Sequence, residues 1–332
     1  MNNIRIIQGD CIETLKQLED QSVNTCITSP PYWGLRNYND EEKQLGMEDT
    51  PEKFVDNLVK VFREVKRVLR DDGTVWLNLG DSYCSSRPMG TSGNSDNVGN
   101  AYKKHRKSFD FGRTGKTSKV GTNEYRGRGK AVDGLKMKDL IGIPWRVALA
   151  LQQDGWYLRQ DIIWHKPNPM PESVKDRCTK AHEYIFLLSK SPKYYFDNEA
   201  IKEDSKSAGK KSAGFKGRQG GAEYHAIGGG IGSEEKVYNK KNKRSVWTIT
   251  TKPFKGSHFA TFPMDLIEPC VLAGCPLDGV VLDPFAGSGT TGIVAANNSR
   301  NAVLLELNKE YIDIAERRIK DEAGIFANTE IE

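Results

Sequence analysis

A short apolar strand that runs into a glycine-rich loop and then a helix is the feature that most restricts how this chain can fold. The strand is GVVL, the loop is Asp283-Pro284-Phe285-Ala286-Gly287-Ser288-Gly289, and the predicted helix is Thr290 to Asn297. Such units build parallel α/β sheets, in which ligands bind at the carboxyl ends of the strands. We therefore predict an α/β fold with a mainly parallel sheet and helices on both faces.

Hydrophobic periodicity elsewhere favours the same class. Pro51 to Arg70 is predicted to be a helix because apolar residues recur every three or four positions, at Phe54, Leu58, Phe62, Val65 and Leu69. Thr50 is the expected N-cap, Pro51 the first helical residue and Gly73 the end of the following turn. Further strands are expected at 23–28, 74–79, 157–164, 183–188, 280–282 and 302–305, and further helices at 140–153, 263–272 and 310–319.

The glycine-rich loop is a candidate ligand site. Glycines let a ligand approach the backbone, and a helix start offers free N–H groups. Nineteen residues beyond Gly287, Glu306 ends the next predicted strand, where it could bind two ribose hydroxyls. The spacing Gly287-x-Gly289-x-x-Gly292 with this acid also satisfies the dinucleotide fingerprint. These residues leave NAD, another adenosine cofactor and a purely structural turn open.

A second motif, Thr28-Ser29-Pro30-Pro31-Tyr32-Trp33, follows the predicted strand 23–28. Two consecutive prolines neither continue a helix nor donate hydrogen bonds to a sheet. The backbone is therefore held extended, and its carbonyl groups point away from helix or sheet partners. The segment thus presents a hydroxyl, a proline carbonyl and an aromatic ring at a strand end. A simple strand-ending turn is the structural alternative.

The basic residues are concentrated in two stretches, although the formal net charge of the chain is only +5. Residues 103–138 hold twelve Lys and Arg against three acids, and residues 202–244 hold eleven against five. Both stretches are rich in glycine and contain isolated aromatic residues. Lys and Arg neutralise phosphates and aromatic rings stack on bases, so nucleic acid is a candidate partner. Two solvated loops without a role are the alternative.

Composition argues against several other classes. No run approaches the roughly 18 apolar residues of a membrane span, and the N-terminus lacks the features of a signal peptide, so a cytoplasmic protein without membrane association is expected. The six cysteines include no C-x-x-C pair, and no histidine lies at zinc-ligand spacing from two of them. We therefore expect neither disulfides nor a bound metal.

SPPY at Ser29 to Tyr32, together with DPFAGSGTT at Asp283 to Thr291, resembles the S-adenosylmethionine-dependent DNA methyltransferases that act on exocyclic amines. The catalytic motif precedes the cofactor motif, which is similar to the permuted β-class arrangement. The resemblance covers roughly residues 4–83, 139–198 and 256–320. It implies a Rossmann-like methyltransferase fold with a permuted sheet and basic, loop-rich insertions, in a bacterial or phage-infected bacterial cell.

The resemblance also implies a binding site for S-adenosylmethionine. Glu306 would bind the ribose hydroxyls, Asp10 the adenine amine, and the loop that begins at Asp283 the methionine part. The full set of implied cofactor residues is Asp10, Cys11, Phe259, Thr261, Asp283, Pro284, Phe285, Gly287, Ser288, Gly289, Thr290, Thr291 and Glu306.

Ser29, Pro30, Pro31 and Tyr32 are the catalytic residues that the resemblance implies. An exocyclic amine is a poor nucleophile because its lone pair is delocalised into the ring. The enzyme must therefore accept hydrogen bonds from the N–H groups of the amine. The Ser29 hydroxyl and the Pro30 carbonyl are suitable acceptors, and catalysis is then positioning for direct in-line transfer. The target base must leave the stack, and Tyr32, with Trp33, would stack on it.

The target amine is expected to be N4 of cytosine, because Ser at the first motif position resembles the cytosine N4 enzymes, whereas Asp or Asn resembles the adenine N6 enzymes. N6 of adenine stays open, since the same four residues could hold either amine. Methylation at cytosine C5 would need a cysteine nucleophile, which Pro269-Cys270 offers. That cysteine lies in a predicted helix, where a small buried thiol is the ordinary explanation.

We predict six consecutive regions. Residues 1–83 and 139–200 form the catalytic half, 84–138 a basic glycine-rich insertion, 201–246 the target-recognition region, 247–322 the cofactor-binding half and 323–332 a tail. The candidate DNA contacts are Trp33, Lys103, Lys104, Arg106, Arg126, Arg128, Lys216, Arg218, Lys240 and Arg244.

Double-stranded DNA is thus the expected partner, with site-specific methylation in a restriction–modification system as one setting. A homodimer and a separate cognate restriction endonuclease are further partners that the resemblance suggests. Two other classes stay open. An NAD-dependent oxidoreductase would explain the glycine loop but not SPPY, and a non-catalytic nucleic-acid-binding protein would explain the charge but not the intact loop with its acid.

Overall fold

A nine-stranded sheet runs through the chain, whose computed structural model describes residues 2–34, 45–84, 134–205, 239–251, 262–324 and 327–332. The order across the sheet is β11-β1-β10-β9-β2-β3-β5-β4-β8. Its strands are β1 (Asn2–Gln8), β2 (Val23–Thr28), β3 (Leu69–Leu79), β4 (Tyr157–His165), β5 (His182–Ser189), β8 (Val246–Thr248), β9 (Val280–Asp283), β10 (Asn301–Glu306) and β11 (Ala327–Ile331). The short strands β6 (Glu203–Asp204) and β7 (Lys240–Lys241) form a separate antiparallel pair.

Helices cover both faces of this sheet, as predicted. They are α1 (Cys11–Leu15), α2 (Pro51–Val68), α3 (Ile143–Gln153), α4 (Met264–Gly274), α5 (Thr290–Asn297) and α6 (Lys309–Glu322). Helices α1 to α3 pack in one hydrophobic core and α4 to α6 in another. Successive side chains of a strand point to opposite faces, so Val75 and Leu77 enter the first core and Trp76 the second. Within the described ranges no helix is long and apolar enough to span a membrane.

The directions of the strands confirm a mainly parallel sheet. The neighbours from β11 through β1, β10, β9 and β2 to β3 are all parallel, whereas β5 is antiparallel to both β3 and β4. The carboxyl ends of β1, β10, β9, β2 and β3 therefore lie at one edge, together with the start of β5. We call this the carboxyl edge of the sheet.

Helix α2 shows how far the sequence pattern determines local structure. Phe54, Leu58, Phe62 and Val65 are fully buried, and the Thr50 side chain accepts a hydrogen bond from the Lys53 N–H, as an N-cap should.

The end of α2 differs from the prediction, because Leu69 is extended and starts β3. Gly73 therefore lies within β3, where the register with β2 shifts, and not in a helix-ending turn. A Cβ at Gly73 would lie only 2.9 Å from the Arg70 carbonyl oxygen, so this irregularity needs glycine.

The strands near the two chain ends were not predicted. β11 pairs in parallel with β1, and Arg5 forms an ion pair with Glu332 at 2.7 Å. The segment 323–332, predicted as a tail, thus contributes an edge strand. Its sequence ANTEI lacks apolar alternation, so only pairing with β1 makes it a strand.

The described residues that flank each of the two basic stretches lie next to each other. The Cys84 N–H donates to the Asp139 carbonyl at 2.8 Å, and the Ser205 N–H donates to the Asn239 carbonyl at 2.8 Å. The first of these pairs follows β3 at the carboxyl edge. Lys103, Lys104, Arg106, Arg126, Arg128, Lys216 and Arg218 lie outside the described residues.

We expect Phe62→Ala in α2 to lower the free energy of unfolding by about 3–5 kcal/mol, because the truncation leaves a cavity in a core position without solvent exposure. Urea unfolding measures the change. The exposed Lys60 on the same helix provides the control, since Lys60→Ala should stay within about 0.5 kcal/mol of the wild type. A loss below about 1 kcal/mol for Phe62→Ala would contradict the packing described.

Candidate active site

The two sequence motifs lie side by side at the carboxyl edge. Strands β2 and β9 are hydrogen-bonded neighbours with Cys26 opposite Leu282, so their ends bring Thr28 and Asp283 together. Strand β10 lies beside β9 and ends at Glu306, and β1 lies beside β10. The loops that follow β1, β10, β9 and β2 therefore surround one region of the carboxyl edge, although their residues come from opposite ends of the chain.

The carboxylate of Asp283 joins the two motifs directly. One of its oxygens accepts hydrogen bonds from the Thr28 hydroxyl at 2.6 Å and the Phe285 N–H at 3.1 Å. The other accepts from the Thr291 hydroxyl at 2.6 Å. Asp283 has no solvent exposure, and this burial raises its pKa to about 6 even though the hydroxyl groups of Thr28 and Thr291 act in the opposite direction. Its side chain therefore holds the loops in place and does not line an open pocket.

The two glycines of the loop and Gly292 of α5 have different roles. A Cβ at Gly289 would lie 2.9 Å from the Ala315 Cβ, and one at Gly292 would lie 2.8 Å from the Leu304 Cδ1. A Cβ at Gly287 would meet nothing within 4 Å. Gly289 and Gly292 thus permit close packing of the protein against itself, and Gly287 is the glycine that faces open space.

Side chains of the loop are turned mainly into the protein. Ser288, Thr290 and Thr291 are at most 3% exposed, and Pro284 is also buried. Arg318 of α6 donates to the Ser288 carbonyl at 2.9 Å, to the Ser288 hydroxyl at 2.8 Å and to the Thr290 hydroxyl at 3.0 Å. Sequence reasoning missed Arg318, because nothing in the pattern of α6 distinguishes it from the other basic residues there.

Glu306 and Asp10 stand at the ends of β10 and β1. Glu306 accepts from the Gly287 N–H at 2.8 Å and the Asn308 N–H at 2.9 Å, and burial raises its pKa. Each carboxylate oxygen has further acceptor capacity, so two ligand hydroxyls can still be bound. Asp10 caps α1 through one oxygen, which leaves the second without a partner among the described residues.

Cys11, the first residue of α1, is 8% exposed. Burial, reinforced by the carboxylates of Asp10 and Glu306, raises the pKa of its thiol to about 12. The side chain is therefore a neutral packing group at neutral pH. The other two predicted cofactor residues, Phe259 and Thr261, lie outside the described residues.

The SPPY segment begins directly after Thr28. Ser29 is partly exposed, and in the described part of the chain its hydroxyl and the Pro30 carbonyl have no hydrogen-bond partner. Pro30 is buried, while Pro31 and Tyr32 are partly exposed. The segment thus offers two acceptors and one aromatic ring beside the glycine loop.

The structure contradicts the predicted DNA contact of Trp33. This residue is only 2% exposed, belongs to the core that contains α2, and donates its indole N–H to the Glu48 carbonyl at 2.9 Å. A ring enclosed in this way cannot stack on a base. Lys240 and Arg244, in contrast, are exposed.

Cys270, the alternative nucleophile, lies within α4 and is 1% exposed. Burial raises the pKa of its thiol, and its sulfur lies 3.5 Å from the Leu266 carbonyl oxygen of the preceding turn. A protonated thiol enclosed in a helix interface is a packing group, as the sequence suggested.

Asp283 should make the stability of the protein depend on pH. Its pKa is about 6 in the folded state and about 3.9 when unfolded, so the folded state binds the proton more tightly. Protonated Asp283 therefore stabilises the folded state by about 3 kcal/mol below about pH 4. This contribution is lost as the pH rises through about 6. Urea unfolding of the wild type and Asp283→Asn between about pH 4.5 and 7.5 should show the wild type losing stability relative to the variant. Parallel curves would contradict this assignment.

Comparison with known proteins agrees with this geometry. The family model for N6/N4 DNA methylases matches residues 23–317, a range that includes both motifs. The chain is 45% identical to the Type II methyltransferase M.Cfr9I of Citrobacter freundii, over 97% of this chain and 89% of that protein. It is 44% identical to M.SmaI of Serratia marcescens, over 96% of this chain and 91% of that protein.

Solved structures share the fold. The cytosine-N4-specific PvuII DNA methyltransferase has a TM-score of 0.59 at 18% identity, covering 100% of this chain and 95% of that one. A DNA modification methylase of Thermus thermophilus, solved with S-adenosyl-L-methionine, has a TM-score of 0.57 at 23% identity, covering 99% of both chains. The extent of the family match decides against the NAD-dependent oxidoreductase. The chain belongs to the family of N6/N4 DNA methylases, whose methyl donor is S-adenosylmethionine.

Proposed function

We propose that this methylase transfers a methyl group to the exocyclic N4 amine of cytosine within a specific site in double-stranded DNA. The observation that carries the proposal is the hydrogen bond from the Thr28 hydroxyl to Asp283. It joins the residue before Ser29 to the first residue of the cofactor loop. The amine acceptors and the methyl donor would therefore meet at one place on the carboxyl edge.

The residues around Gly287 fit an adenosine cofactor. Gly287 leaves space that no neighbouring atom fills, and Glu306 beside it retains acceptor capacity for two ribose hydroxyls. The unpartnered oxygen of Asp10 lies after the neighbouring strand β1, where it could accept from an adenine amine. When bound, S-adenosylmethionine supplies an electrophilic methyl group on a sulfonium. Asp283, Thr291 and Arg318 would act indirectly, by fixing the loop.

The SPPY residues would prepare the amine for reaction. The Ser29 hydroxyl and the Pro30 carbonyl would each accept a hydrogen bond from one N–H of the amine, which favours a tetrahedral nitrogen with its lone pair free. Their freedom from partners in the described residues suits this role, since no internal hydrogen bond must break first. Tyr32 would stack on the base once it has left the duplex. Catalysis would then consist mainly of positioning.

Serine at the first motif position supports cytosine as the target base. A solved structure of similar fold is that of an enzyme described as cytosine-N4-specific, whereas the matching family model covers both N4 and N6 methylases. N6 of adenine is the second candidate, because both amines present two hydrogens beside a ring nitrogen. The names of M.Cfr9I and M.SmaI support a role as the modification enzyme of a type II system.

The proposed functions can be assigned to regions of the chain. Residues 1–83 and 139–200 would supply the catalytic half, and residues 247–322 the cofactor half. The region 201–246 would read the target sequence and the insertion 84–138 would hold the DNA backbone, because their basic residues can neutralise phosphates. A cognate endonuclease and a homodimer belong to the same proposal, although the transfer step needs neither.

Incubation with S-adenosylmethionine and unmodified DNA, followed by digestion to nucleosides and mass spectrometry, should give N4-methylcytosine. Ser29→Ala should lower the rate by roughly 100-fold or more, since it removes an acceptor that acts in the transition state. Cys270→Ala should retain activity and serves as the control. Detection of N6-methyladenine would show that the target base is adenine and not cytosine. Detection of 5-methylcytosine, together with an inactive Cys270→Ala variant, would overturn the mechanism.

Lys240 and Arg244 are expected to contact DNA phosphates. The double variant Lys240→Gln/Arg244→Gln should weaken DNA binding and reduce the slope of log K against log salt by about 2, roughly one unit for each lost contact. Binding titrations at several salt concentrations measure this slope. Lys60→Gln, on the surface of α2, should leave it unchanged. An unaltered slope in the double variant would remove these two residues from the interface.

A further inference from the structure

The Tyr32 ring is held by residues that lie outside both motifs. Gly80, the residue after β3, lies against one edge of the ring. A Cβ at this position would lie 3.1 Å from the Tyr32 Cδ2 and Cζ, and closer still to Cε2. No ordinary side chain could occupy this place while the ring stays there.

The hydroxyl of Tyr32 is held by a separate set of side chains. It donates to the Glu183 carboxylate at 2.8 Å, and the Asn78 amide oxygen lies 3.5 Å away. The other oxygen of Glu183 forms an ion pair with Lys166. The side chains of Glu183 and Lys166 are only 17% and 19% exposed, so water competes little for these contacts.

This group of residues comes from three strands of the sheet. Asn78 lies on β3, Glu183 on β5, and Lys166 directly follows β4. Asn78 also donates to the Tyr184 carbonyl at 3.0 Å, which fixes its amide. The acceptor of the Tyr32 hydroxyl is therefore attached to the rigid sheet, although Tyr32 itself lies in a loop.

We propose that Gly80 and Glu183, with Lys166, are positioning residues that hold the Tyr32 ring in the plane on which the extruded base stacks. This proposal rests on the proposed function, because it assigns a purpose to the ring. A ring fixed before the base arrives loses no rotational freedom on stacking, which favours the flipped state. The ion pair with Lys166 orients the Glu183 side chain, whose other oxygen accepts the hydrogen bond from the hydroxyl.

The hydroxyl contact is tested by a double-mutant cycle on DNA that the wild type methylates. Tyr32→Phe and Glu183→Gln should each raise KM for DNA about five- to tenfold and leave Kd for S-adenosylmethionine unchanged. Glu183→Gln should cause no further loss in a Tyr32→Phe background, because the hydroxyl whose hydrogen bond it weakens is already absent. Asp154→Asn is the matched control, since Asp154 is 15% exposed and paired with Arg63 near the opposite edge. Additive effects, or no effect of Glu183→Gln, would overturn the proposal.

Gly80→Ala tests the contact along the edge of the ring. It should raise KM for DNA at least tenfold in the wild-type background and cause no further loss in a Tyr32→Ala background, where no ring can be displaced. An equal loss in both backgrounds would show a merely structural role for Gly80. If Gly80→Ala does not fold, the hydroxyl cycle still decides. A wild type that methylates no DNA would refute the proposed function, which is a different outcome from additive variants of an active enzyme.

Discussion

Two hydroxyl groups from distant parts of the chain, those of Thr28 and Thr291, donate hydrogen bonds to the buried carboxylate of Asp283. Burying a carboxylate costs free energy unless such donors compensate it. Strand β2, the neighbour of β9, brings Thr28 to Asp283, and the first turn of α5 brings Thr291. The motif that would hold the amine and the motif that would hold the cofactor are therefore fixed relative to each other.

The parallel sheet makes this arrangement possible. Loops that follow neighbouring parallel strands emerge at the same edge, so Asp10, Ser29, Asp283 and Glu306 converge although they are spread through the chain. Antiparallel β5 extends the same edge in a different way, since its start contributes Glu183 beside Tyr32. The SPPY segment thus lies between β1, β10 and β9, which would hold the cofactor, and β3, β5 and β4, which would support the Tyr32 ring.

Particular residues show which features could be predicted from the sequence and which could not. The helix of residues 51–68 was predictable because its apolar face and its Thr50 cap are local features. The sequence suggested Trp33 as a second stacking ring beside Tyr32, yet Trp33 is enclosed by the core whereas Tyr32 lies against Gly80. Arg318 gave no sequence signal, since its contacts with Ser288 and Thr290 exist only after α6 packs against α5.

The sequence by itself determined the fold class, the helical and strand periods, and the two motifs with the family that they resemble. These properties depend on neighbouring residues or on short spacings. Only the tertiary structure decided which side chains face a ligand, as it separated Gly287 from Gly289 and Gly292 and turned Asp283 inward. The physical reason is that burial and hydrogen-bond partners are set by strand pairing and helix packing, which join residues as far apart in the chain as Thr28 and Asp283.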